Sequence, residues 1–484
     1  MNYKMMGKLV AQMLFIETLF MLPAMAICLY YKENAALFAF VQTIVIAVII
    51  SGALYLLCKS APAAIGAKDG LASIGISWVS ISLIGCLPFY FSKEIPLFID
   101  AFFEIVSGFT TTGASVVANV EGLSRGILYW RSFSHWLGGM GVLVFLLVIA
   151  PQDREGKGFT MHLLRAESPG PNVGKLVPKM RSTAMILYWI YIVLTVLNII
   201  FLVLGKMPLF DALCTALGTA GTGGFGIKND SLANYSPYLQ NATTVFMLLF
   251  GVNFGCYYLL LMRQFRGVFK DEELRLYFGL VAACIILIVP NLRGVYDTLE
   301  ETVRHAAFQV SSIVTTTGYA TTDFDLWPAF SKGILLLLMV CGACAGSTGG
   351  GLKIIRVILL LKSLRRNIRK VLNPRKVQVI RNNDHVVSEQ VLDNTNAYLA
   401  AYVFLLVTVV LLISLDNFSF ETNFSAALAC LNNIGPGMAA VGPTCNYGAY
   451  SVFSKLLLSF CMLAGRLEIF PMLILFSRST WKHQ

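Results

Sequence analysis

The sequence predicts an all-α polytopic membrane protein: four parallel helix–pore-loop–helix repeats around a pseudo-fourfold pore, preceded by an N-terminal helix pair. Three observations predict it. The 484 residues are 57% hydrophobic and only 13% charged, with a mean hydropathy of +0.71, whereas an average soluble domain is about 25% charged. The apolar residues come in blocks of 18 to 25, long enough to cross a hydrocarbon core of roughly 30 Å. Four glycine-rich and hydroxyl-rich segments recur with a period near 100 residues, which calls for a repeat reading.

Ten crossings are expected. Two come first, near 9–31 and 36–57. Four pairs follow: 71–91 with 128–150, 184–204 with 241–262, 275–291 with 329–360, and 397–415 with 451–477. The units implied are a helix pair over 1–68 and repeats over 69–182, 183–270, 271–392 and 393–484. Met1 to Lys8 is basic, but the apolar run after it is span-length and lacks a small-residue cleavage pattern, so the first span is expected to stay in the protein.

The net charge of +11 falls in alternate loops. Lys4 and Lys8 precede span one, and Lys59 and Lys68 follow span two. Arg154, Lys157, Arg165, Lys175, Lys179 and Arg181 form a third basic group, and Arg263, Arg266, Lys270 and Arg275 a fourth. The longest runs from Lys362 through Arg365, Arg366, Arg369, Lys370, Arg375 and Lys376 to Arg381, and Arg478 and Lys482 close the chain. The intervening connections carry few or no basic residues. This positive-inside pattern predicts two cytoplasmic termini and accounts for the charge without nucleic acid. The eleven cysteines lie mostly inside apolar blocks, as small packing residues do, and Cys341 with Cys344 form a CxxC without redox context.

Within each pair sits an apolar stretch too short to cross, followed by SGFTTTGAS (Ser107–Ser115), TALGTAGTGGFG (Thr215–Gly226), VSSIVTTTGYATTDF (Val310–Phe324) or ACLNNIGPGMAAVG (Ala429–Gly442). Thirteen positions separate Asp100 from Gly113 and Asp211 from Gly224. His305 stands at that offset before Gly318, and Thr422 before Gly435. The aligned candidates are Thr110, Thr111, Thr112 and Gly113; Gly221, Thr222, Gly223 and Gly224; Thr315, Thr316, Thr317 and Gly318; and Asn432, Asn433, Ile434 and Gly435. Non-helical backbone at membrane depth must be buried in protein or line a wet cavity. Rings of its carbonyls can replace the water shell of K⁺, and glycine lets successive carbonyls turn without Cβ crowding. No carboxylate stands at the anchor positions, which disfavours a divalent-selective ring. The competing reading of any one loop is a helix end packed on a neighbour.

Two further features stand out. CGACAGSTGGGLKIIR (Cys341–Arg356) puts Gly342, Ala345, Gly346, Ser347, Thr348, Gly349, Gly350 and Gly351 inside an expected crossing, where each glycine costs about 1 kcal/mol against alanine. The span should break there, either as a gate below the loops or for close helix packing. Arg466, in AGRLEIFPM, either faces a cavity, with Glu468 near enough to compensate, or snorkels to the cytoplasmic edge. GTGGFG lacks the strand that a dinucleotide fold requires, and GSTGGGLK has leucine where a phosphate loop needs lysine. No catalytic constellation appears, so no enzyme is expected.

TTTG after a short helix, GACAGSTGGGLKIIR, NNIGPG, AGRLEIF and RAESPGP (Arg165–Pro171) together resemble the Trk/Ktr/HKT superfamily, and within it the bacterial TrkH-type potassium uptake subunits, over essentially the whole chain. The resemblance implies filter glycines at Gly113, Gly224, Gly318 and Gly435, a pattern associated with K⁺ over Na⁺. It implies an intramembrane gating loop at Gly342 to Gly351 and a cavity arginine at Arg466. It implies K⁺ as substrate with no bound cofactor, a homodimer, a cytosolic TrkA-type nucleotide-binding ring, and a place in the bacterial inner membrane. The basic loops suit such a ring or anionic lipid equally. The second loop (AGTGG) and the fourth (Asn432, Asn433, Ile434) depart from TTTG. A symporter coupling K⁺ to H⁺ or Na⁺ is the alternative, and a receptor without transport a more distant one.

Overall fold

The computed structural model describes residues 2–60, 67–141, 180–375, 378–383 and 385–481. Positions 142–150 of an expected crossing, the basic residues Arg154, Lys157, Arg165, Lys175 and Lys179, the RAESPGP motif, Lys376, Lys482 and the side chain of Arg181 lie outside the described residues.

The N-terminal pair is Tyr3–Tyr31 and Asn34–Leu57. Each repeat then begins with a long first helix: Ala67–Gly85 (prolonged by Leu87–Phe91), Met180–Leu204, Glu272–Asn291 and Glu389–Ile413. These helices turn apolar side chains outward. Trp189, Phe404 and Leu411 are 63%, 77% and 71% exposed, a distribution suited to lipid rather than water. Six helices among the described residues are long and apolar enough to cross a membrane, or seven when the pair Pro237–Phe250 and Phe254–Leu261, bent by 88°, is counted as one span.

A re-entrant helix follows in every repeat: Phe98–Phe109, Leu209–Gly221, Leu299–Val314 and Phe420–Leu431, of 12, 13, 16 and 12 residues. Their charge pattern is shared. Each has an acidic residue in its first turn (Asp100, Asp211, Glu300 and Glu301, Glu421), and none has a basic residue in its last. Carboxylates at the amino end stabilise the helix through its dipole. The carboxyl ends keep their partial negative charge without a counter-charge on the same helix.

The second helices correct the expectation of continuous crossings. Only the third was expected to break, but all four stop after 13 to 15 residues: Arg125–Gly139, Pro237–Phe250, Ala329–Cys341 and Val452–Arg466. In repeats 1 and 4 the physical reason is how closely they approach the re-entrant helices. A Cβ on Gly138 would lie 1.8 Å from the carbonyl oxygen of Phe109, and one on Gly465 would lie 2.0 Å from that of Leu431. Both partners are the last residue of their own repeat's re-entrant helix. Backbone contact of this kind needs glycine, and glycine is a weak helix former. After the breaks, Gly141, Gly342, Glu468 and Ile469 adopt positive φ. The glycines at 138, 139, 141, 251, 342 and 465 were the available sequence signal.

Burial is polar at the centre. Thr110, Thr111, Thr112, Thr315, Thr316, Thr317, Asn432 and Asn433 are all fully buried, which is tolerable only because the loops bond to one another and to their own helices. Replacing Gly138 by alanine should destabilise the protein by ~1–3 kcal/mol through overpacking. Gly279→Ala, in the helix Glu272–Asn291 with nothing within 4 Å of the added carbon, should stabilise it by about 0.5–1 kcal/mol. Thermal unfolding in detergent separates the two.

Candidate ion pathway

The four anchor glycines close a ring. A Cβ on Gly113 would stand 2.0 Å from the carbonyl oxygen of Gly223, one on Gly224 would stand 2.0 Å from that of Thr317, and one on Gly318 would stand 2.0 Å from that of Ile434. A Cβ on Gly435 completes the circuit 2.7 Å from that of Thr112. Each glycine thus abuts the carbonyl of the residue just before the glycine of the next loop. All four have φ between +76° and +96°, a region in which side chains are strained.

The loops follow one backbone path despite their different sequences. Thr111, Thr222, Thr316 and Asn433 are left-handed, with φ of 54–57°. Each donates its N–H to the carbonyl three residues back, and the next residue donates to the carbonyl five back: Thr112 to Ser107, Gly223 to Gly218, Thr317 to Ser312 and Ile434 to Ala429, at 2.8–2.9 Å. This paired bonding is the Schellman C-cap, which normally ends in glycine. Here threonine or asparagine holds the left-handed position at a cost of order 1–3 kcal/mol; contacts from other elements fix it in loops 1, 3 and 4, while Thr222 Oγ1 donates to the Gly221 carbonyl at 2.6 Å. Thr316 Oγ1 accepts from the Gly350 N–H at 2.6 Å, and Thr111 Oγ1 accepts from Arg466 at 3.2 Å. Asn433 Nδ2 donates to Thr112 Oγ1 at 3.0 Å and to the Met462 carbonyl at 2.9 Å. Because these N–H groups bond backwards, they are consumed within each loop.

The segment between the helices Ala329–Cys341 and Ile354–Leu372 is non-helical and lies against the loops. A Cβ on Gly349 would be 2.9 Å from the Thr315 carbonyl oxygen, and one on Gly350 would be 2.4 Å from that of Asn432. Arg466 gathers the parts. Its guanidinium donates to Thr111 Oγ1, to the Thr348 carbonyl at 2.9 Å, to the Gly139 carbonyl at 2.8 Å and to the Gly138 carbonyl. It therefore bonds loop 1, the broken span and the second helix of repeat 1, rather than reaching for a membrane edge. Glu468 is a correction to the expected compensation of Arg466. It pairs with Arg356 instead, with Oε1 at 3.2 Å, and Arg356 also stacks 4.0 Å over the Tyr398 ring.

Gly342 and Gly346 open the turns of this segment at φ of 69° and 68°, and Gly351 closes it at 76°. Ala345 is buried, and Ser347 Oγ bonds the Cys344 carbonyl at 2.6 Å. Gly221 ends its helix and packs on His135.

Sequence reasoning missed four charged residues. Lys353 is buried at a positive φ of 72° and donates to the Gly349 carbonyl. Glu273 contacts the same segment. Glu104 and Arg131 form a buried pair at 2.7 Å, 0% and 2% exposed. Glu104 also accepts from Ser115 Oγ and the Val116 N–H, both at 2.9 Å, and Arg131 lies 4.1 Å over the Phe225 ring, joining loops 1 and 2. Charges inside apolar stretches were the signal.

Outside the ring lies a cavity of about 160 Å³ lined by Gly113, Gly224, Gly318 and Gly435 together with Arg131, Lys228 and Tyr447. Among the described residues no three His, Cys, Asp or Glu side chains converge to hold a metal. A cation at the ring would therefore meet main-chain, hydroxyl and amide oxygens.

Residues 36–482 match the family model of TrkH, described as cation transport protein. The chain belongs to the TrkH family. Curated relatives agree over full length. The Trk system potassium uptake protein TrkH of Salmonella typhimurium is 33% identical over 100% of both chains. TrkG of Escherichia coli strain K12 is 34% identical over 97% of both. The crystal structure of the potassium transporter TrkH from Vibrio parahaemolyticus superposes with a TM-score of 0.89 at 29% identity, covering 100% of both chains. These TrkH-family relatives are named as transport proteins and not as enzymes.

Removing Arg131 should strand a buried carboxylate. Arg131→Ala is expected to cost about 3–5 kcal/mol, read as a large fall in thermal stability in detergent. The double variant Glu104→Gln with Arg131→Met should recover most of it.

Proposed function

We propose that this protein is the K⁺-selective conducting subunit of a potassium uptake system, passing the ion in a channel-like manner between the four loops. The observation that carries this reading is the closed ring of glycine–carbonyl contacts. With loop N–H groups bonded backwards onto their helices, the carbonyls are the groups left for a dehydrated ion. Four helix carboxyl ends without basic residues add a field that favours a cation. The names of the full-length relatives support potassium as the ion.

Segment Gly342–Gly351 is the gate in this reading. It lies directly against Thr315, Thr316 and Asn432, and Arg466 beside it sets a positive barrier to ion residence. The resemblance adds a homodimer in the bacterial inner membrane with cytoplasmic termini, and a cytosolic TrkA-type nucleotide-binding ring that controls the gate. Basic side chains on the helix Ile354–Leu372, such as Arg365 and Arg369, suit that ring or anionic lipid.

Purified protein in liposomes should take up ⁸⁶Rb⁺ down a K⁺ gradient, with K⁺ competing and Na⁺ competing poorly. Dependence of the reversal potential on a second ion gradient would favour a symporter instead. Gly318→Ser should lower K⁺ over Na⁺ discrimination by about tenfold, because overpacking of ~1–3 kcal/mol at the ring translates into that factor or more. Deleting residues 345–350 should raise basal flux, and an unchanged flux would remove the gate from this account.

A further inference from the structure

Three consecutive acidic residues open the first helix of repeat 3, and each grips a different part of the protein. Asp271 caps the helix, accepting from the Leu274 N–H at 2.8 Å, and its second oxygen takes Asn383 Nδ2 at 2.7 Å. Glu272 donates its N–H to Asn383 Oδ1 at 2.9 Å and pairs with Lys362. Lys362 in turn bonds the Arg381 carbonyl at 2.7 Å. Asp271 and Glu272 thereby hold the small antiparallel strand pair in which Arg381–Asn382 meets His385–Val386.

Glu273 turns the other way, into the protein, and is only 5% exposed. One of its oxygens accepts two main-chain N–H groups, from Ala345 at 2.7 Å and from Ile355 at 3.1 Å. These two residues bracket positions 346–354, the greater part of the broken segment. Ile355 lies in the first turn of the helix Ile354–Leu372, whose cap residue Lys353 provides no side-chain bond. Orphan N–H groups at a helix start favour a negative partner, and Glu273 supplies it from another element. A second connection runs through apolar packing: Ala345, Ile355, Leu359, Ile380 and Leu392 form a separate buried cluster. It joins the segment to the residue just before the strand pair.

We propose that Glu273 is the latch of the gating segment, a positioning residue that holds Ala345 and Ile355 on one carboxylate oxygen, and that the strand pair gripped by Asp271 and Glu272 is the lever that releases it. The inference rests on the reading of Gly342–Gly351 as a gate. A capped first turn is stiff, so a pull on Asn383 moves residues 271 to 273 as a unit. One oxygen that shifts cannot keep two N–H groups whose chains diverge. Losing either bond loosens the segment on that side, where its other outside ties run to Arg466 and Thr316 and, through Cys344, Gly346 and Thr348, to residues 250–254 of repeat 2.

The test is basal ⁸⁶Rb⁺ flux of the full chain in liposomes without any cytosolic partner, beside the variant lacking residues 345–350. Glu273→Ala should raise flux about tenfold or more, since it leaves two buried main-chain N–H groups without an acceptor. Glu273→Gln keeps one acceptor oxygen for both N–H groups and should stay within about threefold of the parent. Asn383→Ala, which touches neither the ring nor the segment, should raise flux by a smaller factor. Preference for K⁺ over Na⁺ should be unchanged in all three, which a general loosening of the fold would not preserve. If the deletion raises flux while Glu273→Ala does not, the latch is wrong and the gate stands. An inert deletion would remove the gate first. Should Glu273→Ala fail to fold, the other two variants decide: Glu273→Gln at tenfold or above, or Asn383→Ala at the parent level, overturns the proposal.

Discussion

Main-chain polar groups at membrane depth have no water to fall back on, and that constraint shapes everything near the ring. Four segments of the chain must leave helical geometry in the interior and still satisfy their N–H groups. Each does so by the same C-cap, folding its donors back onto carbonyls three and five residues earlier. The solution requires a left-handed residue at one position and a glycine two positions later. It also leaves carbonyls rather than N–H groups as the unconsumed backbone, which is the chemical asymmetry a cation site needs.

The second helices serve the same constraint from outside. To brace a loop they must touch the end of a re-entrant helix, and Gly138 and Gly465 do so at distances that admit no side chain. Glycine contact and helix termination therefore coincide in space. The broken segment of repeat 3 is an extreme form of a feature shared by all four repeats, lengthened enough to cross beneath the loops.

Charge is arranged in layers around the neutral ring. Outside it, Glu104 and Arg131 neutralise each other and bind loops 1 and 2 together. Beneath it, Arg466 and Lys353 donate to carbonyls of the same segment, Thr348 and Gly349, while Glu468 is drawn off to Arg356. Buried charges of this kind are stable only when hydrogen-bonded and paired, so each fixes the elements it bridges.

The membrane class, the four re-entrant elements and the aligned glycines were legible in the residues, because span length, apolar blocks and a fixed offset to each anchor glycine are local properties of the chain. The break at Gly342 was legible for the same reason. The breaks at Gly251 and after Arg466 were not, since a lone glycine or arginine in a span has several explanations until its neighbour is known. The second and fourth loops could be aligned by offset, but their side chains depart from Thr-Thr-Thr-Gly, and it is the backbone bonds that give them the common path. Sequence by itself determined what the chain is made of and where it bends, through periodicity and composition. Tertiary structure alone decided which charge meets which carbonyl, sending Glu468 to Arg356 and Glu273 to Ala345 and Ile355, because those partners lie 72 to 112 residues apart and no local pattern encodes a distance across the fold.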